Sequence, residues 1–190
     1  MQNYYFPTII SSEKIVSLAE KLLPVVESYL SDPKNLTNYW GYRTTFRVES
    51  GLECLQDFFE FDKIIREKGK KFLEAAGYNT NCLEFTSQIF ASNMQINDLH
   101  GIHSHPNSLL SGVFYLQVDD KSAPIVFHDP RPFRKFVALP RGNETLASYE
   151  KIMIVPENGL LLIWESWLEH EVLKNLSDNR ISLVFNLGKK

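Results

Sequence analysis

The second half of the chain consists of short runs rich in β-branched and aromatic residues, separated by turn residues. The runs predict strands at about 84–96, 110–118, 123–128, 152–155, 159–166, 168–174 and 180–187. Asp, Asn, Gly and Pro occupy the segments between them, and these residues favour tight turns. Many short strands at this spacing predict a sandwich, a jelly roll or a barrel.

The first 80 residues show helical periodicity instead. Apolar residues recur every three or four positions from Ser12 to about Leu30, where Ser11 or Ser12 is the expected N-cap, and again over about 51–76. Pro24 is expected to kink or divide the first helix. We predict a single domain over residues 1–190, with helical support in 1–80 and the β-rich core in 81–190.

Composition agrees with one folded domain, because 190 residues that are 44% hydrophobic can bury a substantial core. The formal net charge of -3 does not favour nucleic-acid binding, which usually needs a basic surface. Cys54 and Cys82 are too few for a disulfide framework and are expected to be free thiols of a cytoplasmic protein. The sequence shows no export signal and no apolar run of about 18 residues, so we expect neither secretion nor a membrane partner.

All five histidines lie between positions 100 and 170. His103 and His105 are one residue apart, so in an extended segment their imidazoles project from the same face and can bind one ion. His170 is the candidate third ligand, and three ligands on one face of an octahedron leave positions open for substrate or oxygen. An H-x-H pair also suits zinc, manganese or nickel. His100 and His128 are interpreted as surface or loop histidines.

Arg180 begins the run RISLVFN and is a candidate carboxylate-binding residue. Because side chains alternate along a strand, Arg180, Ser182 and Asn186 are expected on one face. Ile181, Leu183 and Phe185 are expected on the other. The planar guanidinium group of arginine can bind a carboxylate through two parallel hydrogen bonds. A structural arginine paired with a surface acid is the alternative, and the spacing does not decide between the two.

Four motifs, in this order, resemble those of a family of 2-oxoglutarate- and Fe(II)-dependent oxygenases found in bacteria and in phages of cyanobacteria. The motifs are HSHPNSLLSGVFYL (103–116), FHDPR (127–131), VPENGLLLIWESWLEHEV (155–172) and RISLVFN (180–186). The resemblance covers about 87–188, half of the chain, and four motifs in sequence are far more specific than any one of them. Their order is also similar to that in prolyl-hydroxylase-like oxygenases.

The resemblance implies a mainly β (α+β) chain whose core is a double-stranded β-helix, the jelly-roll fold of cupin-like proteins, with the N-terminal helices packed on it. It implies that the enzyme hydroxylates a substrate C–H with dioxygen while 2-oxoglutarate is decarboxylated to succinate. It also implies residue roles: Fe(II) on His103, His105 and His170, 2-oxoglutarate on Arg180 and Ser182, and contacts to the cosubstrate or the ligands from Tyr115 and Asn97.

One position departs from the prolyl-hydroxylase-like pattern, in which the first motif is H-x-D or H-x-E. His105 stands where those enzymes have a carboxylate, so the implied site has three histidines. Asp98, Asp129 and Glu169 are the nearest carboxylates that could replace His105 as the second ligand.

Two other function classes suit parts of this pattern. A cupin-like metal enzyme that does not use 2-oxoglutarate, either a three-histidine dioxygenase or an isomerase, would account for the H-x-H pair, although Arg180 and Ser182 argue against it. A non-catalytic jelly-roll binding or structural module would need only a structural ion. Structural ions prefer closed shells, whereas only three convergent ligands are visible.

The substrate is expected to be a small molecule or a protein side chain, and the sequence does not identify it. Contacts to it are expected from the loop 133–149 and from the N-terminal third. This loop carries a basic cluster, whose members are Arg131, Arg134, Lys135 and Arg141. A solvated surface loop is the favoured interpretation of the cluster, and a binding site for an acidic or phosphorylated substrate is the alternative. We also expect that the chain can form a homodimer. Its expected location is the cytoplasm, or the host cytoplasm if a phage encodes the chain.

Overall fold

The computed structural model describes residues 6–39, 42–46, 51–131 and 148–190. Eleven strands and two α-helices make up the described part of the chain. In chain order they are β1 (Ile10–Lys14), α1 (Val16–Ser31), β2 (Thr37–Tyr39), β3 (Tyr42–Thr44), α2 (Phe59–Ala75), β4 (Phe85–Met94), β5 (His100–His103), β6 (Leu110–Gln117), β7 (Ile125–His128), β8 (Lys151–Ile154), β9 (Leu160–Glu165), β10 (His170–Val172) and β11 (Arg180–Lys189). Three short 3-10 helices lie at 33–35, 52–54 and 56–58.

The strands form two antiparallel sheets. The larger sheet has the order β1-β9-β6-β11-β4-β3-β2, and the smaller sheet has the order β5-β10-β7-β8. Apolar side chains from both sheets pack together, for example Tyr115 and Trp164 of the larger sheet with Ile125 and Phe127 of the smaller one. The architecture is therefore a two-layer β-sandwich whose interior lies between the sheets.

The central strand β11 divides its side chains between two environments, as strand alternation predicts. Ile181, Leu183, Phe185 and Leu187 pack into the core that the larger sheet shares with the helices. The residues between them line cavities between the two sheets; they are Arg180, Ser182, Val184 and Asn186.

Both helices cover the outer face of the larger sheet. α1 buries Leu18, Leu22 and Val26, and α2 buries Phe61 and Ile65. The ring of Phe61 stacks on Phe114 of β6 at 5.5 Å between centroids and meets Phe185 of β11 edge-on at 5.9 Å. These contacts pack α2 against the outer face of β6 and β11. The residues of both strands that face the cavities therefore have close-packed core on the opposite face of the sheet.

The N-terminal region departs from the predicted purely helical support. It contributes β1, β2 and β3 to the larger sheet, and Ser11 and Ser12 lie in β1 instead of capping a helix. Residues 10–14 form a strand because they pair with β9 along their whole length. The hydrogen bonds of this pairing outweigh the local preference for a helix start at the serines. α1 runs unbroken through Pro24, so the expected division of that helix is wrong. The assignment of residues 1–190 to one domain stays a prediction.

Two further sequence expectations bear on the fold. Cys54 and Cys82 are exposed free thiols, as predicted. Within the described ranges, none of the helices has the length and apolar character needed to cross a membrane. Most of the predicted substrate loop 133–149, with Arg134, Lys135 and Arg141, lies outside the described residues.

Candidate metal centre

Strand pairing brings the histidines together. β5 and β10 are antiparallel neighbours, and their register places His103 opposite His170. His105 follows β5, and its backbone N–H donates to the carbonyl oxygen of Ser166 at 2.9 Å, which ties that segment to the turn after β9. The ligand atoms of the three histidines all lie within 4.8 Å of one another, so a single ion could contact all three.

Each of these imidazoles is oriented by a hydrogen bond at Nδ1. The acceptors are the carbonyl oxygen of Gly101 at 2.7 Å for His103, the Oδ1 atom of Asn186 at 2.5 Å for His105 and the carbonyl oxygen of Leu168 at 2.9 Å for His170. Oxygens of this kind only accept, so in each ring Nδ1 carries the proton and donates. Nε2 then has the lone pair that a metal needs, which is the usual arrangement around metal-binding histidines.

The environment also keeps these rings neutral. Burial is the largest cause of the lowered pKa of His105, about 4, and of His170, about 2; the neighbouring His103 lowers both further. Burial likewise lowers the pKa of His103 from its usual value. Since a metal binds the neutral imidazole, burial prepares these side chains for coordination at neutral pH.

A divalent cation fits this arrangement. The Nε2 atom of His105 is buried and has no hydrogen-bond partner among the residues that the structure describes. Burying a polar atom without a partner is costly, and a metal bond would satisfy it. Three neutral imidazoles suit Fe(II) and other divalent transition metals.

The carboxylates considered as alternatives to His105 do not join this group in the described part of the chain. Asp98 accepts a hydrogen bond from the backbone N–H of Gln95 at 2.7 Å in the turn before β5. The carboxylate of Asp129 pairs with Arg131 at 2.7 Å. The group that can hold a metal therefore consists of histidines.

A narrow cavity of about 60 Å³ adjoins the histidines between the sheets. Arg180, Ser182 and Tyr115 line it together with the side chains of His103, His105 and His170. The Tyr115 hydroxyl and the Ser182 hydroxyl are buried and without a hydrogen-bond partner among the described residues, as is Trp164 Nε1. A ligand with several acceptor oxygens would satisfy these donors.

Arg180 is held rigidly in this cavity and is only 2% exposed. Its Nε donates to the carbonyl oxygen of Ala123 at 3.0 Å, and its Nη1 contacts the sulfur of Met94 at 3.1 Å. The guanidinium carbon lies 5.3 Å from the centroid of the Tyr115 ring. Burial raises the pKa of Tyr115 while the Arg180 charge opposes this, so the phenol stays protonated and can donate.

A second cavity of about 420 Å³ also adjoins His103 and His105. Residues of β4, β5 and the segment after β5 form most of its wall, and Asn186 of β11 lies beside His105. Because His103 and His105 line both cavities, the two spaces meet at the three-histidine group.

Several residues stand elsewhere than the sequence predicted. His100 is the first residue of β5, and its ring stacks on His103 at 3.7 Å between centroids. His128 ends β7, is 9% exposed, and its Nε2 lies 3.1 Å from Glu171 Oε1. The interpretation of both as surface or loop histidines is therefore wrong.

Asn97, predicted to contact the cosubstrate or the metal ligands, is exposed in the turn between β4 and β5. It adopts a left-handed φ of 76° there. The structure does not bring it to either cavity.

Sequence reasoning also missed some lining residues: Phe46, Gln88, Phe90 and Trp164. Alternation along β4 could have indicated that Gln88, Phe90, Ser92 and Met94 share one face. No local signal placed Phe46, because it reaches the cavity from a distant segment.

The family described as "Putative 2OG-Fe(II) oxygenase" matches residues 88–186, which is just over half of the chain and includes all three histidines and Arg180. The chain belongs to this family. It is thus a 2-oxoglutarate- and Fe(II)-dependent oxygenase, as the motifs in the sequence indicated. Among curated proteins, none matches this oxygenase.

Solved structures resemble this oxygenase over nearly its whole length. A prolyl-4-hydroxylase from Pseudomonas putida has a TM-score of 0.65 at 14% identity, with 96% of this chain and 94% of that chain covered. HygX from Streptomyces hygroscopicus, solved with nickel, 2-oxoglutarate and hygromycin B bound, has a TM-score of 0.60 at 11% identity, with 95% and 80% covered. The likeness confirms the predicted double-stranded β-helix.

A third structure is similar over a smaller part. This is an oxidoreductase of the 2OG-Fe(II) oxygenase family from Burkholderia pseudomallei, with a TM-score of 0.45 and 17% identity. The match covers 57% of this chain and 47% of that one, so the oxygenase spans about half of that protein's length.

Proposed function

We propose that the chain is a hydroxylase in which His103, His105 and His170 bind Fe(II) through Nε2. The observation that carries this proposal is the convergence of three imidazoles whose Nδ1 atoms are all engaged, within 4.8 Å and with His105 Nε2 buried and unpartnered among the described residues. Iron bound there, together with 2-oxoglutarate and dioxygen, would supply the oxidation of a substrate C–H, with succinate and carbon dioxide as the other products.

We further propose that Arg180, Ser182 and Tyr115 bind 2-oxoglutarate. Arg180 would receive the carboxylate remote from the iron, since charge-assisted hydrogen bonds from a guanidinium group are strong and directional. The hydroxyls of Ser182 and Tyr115 would donate to the same ligand, which would satisfy two buried atoms left without partners in the described structure. The cosubstrate would extend from Arg180 along the histidines, because these line the same cavity.

The remaining side chains would orient the ligands and exclude water. Asn186 would hold the tautomer of His105, and Trp164, whose ring lies 4.8 Å from that of His170, would shield the centre. A dry surrounding strengthens the electrostatic contacts to Arg180 and limits unproductive oxidation of the protein.

The setting of the reaction is also a proposal. We expect a cytoplasmic enzyme, or one in the host cytoplasm if a phage encodes it, acting on a small molecule or a protein side chain, without a membrane or nucleic-acid partner. The net charge of -3 and the exposed free thiols support this expectation. A homodimer remains part of the same proposal.

The test is a titration of anaerobic Fe(II) protein with 2-oxoglutarate. Direct chelation of the iron by the keto acid should produce a weak visible charge-transfer band, and the unreactive analogue N-oxalylglycine should compete for the same site. Iron bound at one equivalent with no spectral response to either acid would contradict the proposal and favour a three-histidine enzyme that does not use 2-oxoglutarate. Absence of bound iron would contradict the ligand assignment itself.

A further inference from the structure

The larger cavity is placed to hold the substrate. Its volume of about 420 Å³ lies in the range usual for ligand cavities, about 300–1,000 Å³. His100, His103 and His105 line both this cavity and the one that contains Arg180. A molecule in the larger cavity would therefore lie against two of the three imidazoles proposed to bind iron.

One wall of this cavity is aromatic. Phe46 and Phe90 contact each other with ring centroids 4.9 Å apart and an angle of 54° between the rings. Phe90 projects from β4 and is only 7% exposed, so its ring is fixed by packing. At the rim, Ile102 is 55% exposed and adds further apolar surface. This wall favours an apolar or ring-shaped group.

The polar lining residues of the cavity are amides, hydroxyls and imidazoles. Besides the histidines they are Gln88, Ser104, Ser108 and Asn186. None of the described lining residues is an Asp, Glu, Lys or Arg. A charged group held against the buried Phe90 ring would lose water without gaining an opposite charge from a described lining residue, so this inner part of the cavity disfavours both acidic and basic substrate groups.

The amide of Gln88 has a defined orientation. Asn186 Oδ1 accepts from His105 and from the hydroxyl of Ser111, so its Nδ2 is the donor, and this atom donates to Gln88 Oε1 at 3.1 Å. The Gln88 oxygen is thereby engaged, and its amide nitrogen makes no hydrogen bond to another described residue. Gln88 can therefore offer N–H donors to a bound molecule.

We propose that this cavity binds an uncharged substrate group that has an apolar body and a hydrogen-bond acceptor, such as an amide carbonyl, and that Gln88 donates to this acceptor. The inference rests on the proposed function, because it makes the cavity the substrate site of the same iron centre. It differs from the acidic substrate that the basic cluster around Arg131 would suit, because the present proposal predicts preference for an uncharged ligand and the basic cluster predicts preference for an anionic one.

Three probes of similar size test the charge preference: 3-phenylpropanamide, 3-phenylpropanoate and 3-phenylpropylammonium. Their dissociation constants are measured by ligand-observed NMR on the anaerobic Fe(II) protein in the presence of excess 2-oxoglutarate. The amide should bind at least about tenfold more tightly than either charged probe, which corresponds to about 1.4 kcal/mol. Equal binding of all three, tighter binding of a charged probe, or no binding of the amide overturns the proposal.

Variants of Gln88 test its role. Gln88→Leu removes the donors and should weaken the amide probe about two- to tenfold, the factor that a net hydrogen-bond contribution of about 0.5–1.5 kcal/mol gives. Gln88→Glu keeps an acceptor for Asn186 while replacing the donors with a negative charge, so it should weaken the amide probe and strengthen the ammonium probe. Gln56→Leu is the matched control, because Gln56 is exposed in a 3-10 helix and does not line the cavity. Unchanged probe preference in both Gln88 variants contradicts the assignment.

The charge-transfer titration of the wild type separates this inference from the proposed function. If the band forms but the amide is not preferred, the substrate inference fails while the iron and 2-oxoglutarate site stands. If the amide is preferred but no band forms, the cavity has the inferred specificity and the proposed function fails. The iron content of each variant is measured in the same samples. If a Gln88 substitution acts indirectly, by disturbing Asn186 and His105, the variant loses iron and the indirect effect is recognised.

Discussion

Asn186 offers a sharp test of how the protein prepares its metal centre. Its Oδ1 accepts hydrogen bonds from His105 Nδ1 at 2.5 Å and from the Ser111 hydroxyl at 2.9 Å. In Asn186→Leu the side-chain volume is similar but the acceptor is lost. The proton of His105 can then move to Nε2, which would withdraw the lone pair proposed to bind iron.

The size of the effect follows from these contacts. Loss of a partner that orders a metal ligand typically lowers metal affinity about 10- to 100-fold, equivalent to about 1.4–2.8 kcal/mol. Loss of the acceptor for His105 Nδ1 should also cost about 1–3 kcal/mol of folding free energy. The Ser111 hydroxyl keeps its hydrogen bond with Ser166 Oγ at 2.7 Å. Asn186→Leu should therefore bind Fe(II) at least about tenfold more weakly and unfold more easily.

Competition with a chromophoric chelator under anaerobic conditions measures the affinity, and chemical denaturation of the metal-free protein measures the stability. Asn186→Asp retains an acceptor and should keep metal affinity close to or above that of the wild type. Asn81→Leu is the control, because Asn81 is exposed in a turn before β4. If Asn186→Leu changes iron affinity by less than about twofold, the tautomer argument is refuted.

Three further predictions address the histidines and Arg180. His103→Ala and His170→Ala should each lose bound iron while circular dichroism shows an intact fold, and full occupancy in both variants would rule out the ligand assignment. Arg180→Lys keeps the charge but loses the two-pronged donor, so the dissociation constant of 2-oxoglutarate should rise at least about tenfold in the charge-transfer titration. The pKa of His170 is lowered from 6.5 to about 2 in the folded protein. As the pH falls below 6.5, only the unfolded chain takes up a proton at this histidine. The free energy of unfolding that is present above pH 6.5 should therefore decrease. Between pH 7 and 5 this contributes a fall of about 2 kcal/mol in the unfolding free energy of the metal-free protein, and His170→Asn should show a correspondingly flatter pH dependence in denaturant titrations.

Features that depend on local backbone geometry were readable from the sequence. Alternation predicts Arg180, Ser182 and Asn186 on one face of this run and Ile181, Leu183 and Phe185 on the other, and the structure places the two groups on opposite faces of β11. The jelly-roll class followed from the spacing of β-rich runs together with ordered family motifs, and the family match and structural likeness confirm it. These inferences succeed because strand alternation and turn chemistry are set by residues adjacent in the chain.

Features that depend on the pairing of distant strands were decided by the tertiary structure. The register of β5 against β10 puts His103 opposite His170, and it also draws His100 against His103, where the sequence indicated only a surface residue. Asn97, which directly follows the predicted strand 84–96, lies in an exposed turn and does not reach either cavity.

The same reason explains the larger cavity. Gln88 became visible as a donor only when β11 and β4 paired in a register that places Asn186 beside it. Phe46 meets Phe90 although more than forty positions separate them in the chain. Sequence periodicity determines which face of a strand a side chain occupies. The contacts across that face depend on which other strand packs against it. Burial of the whole hydrophobic core determines this choice of neighbouring strand.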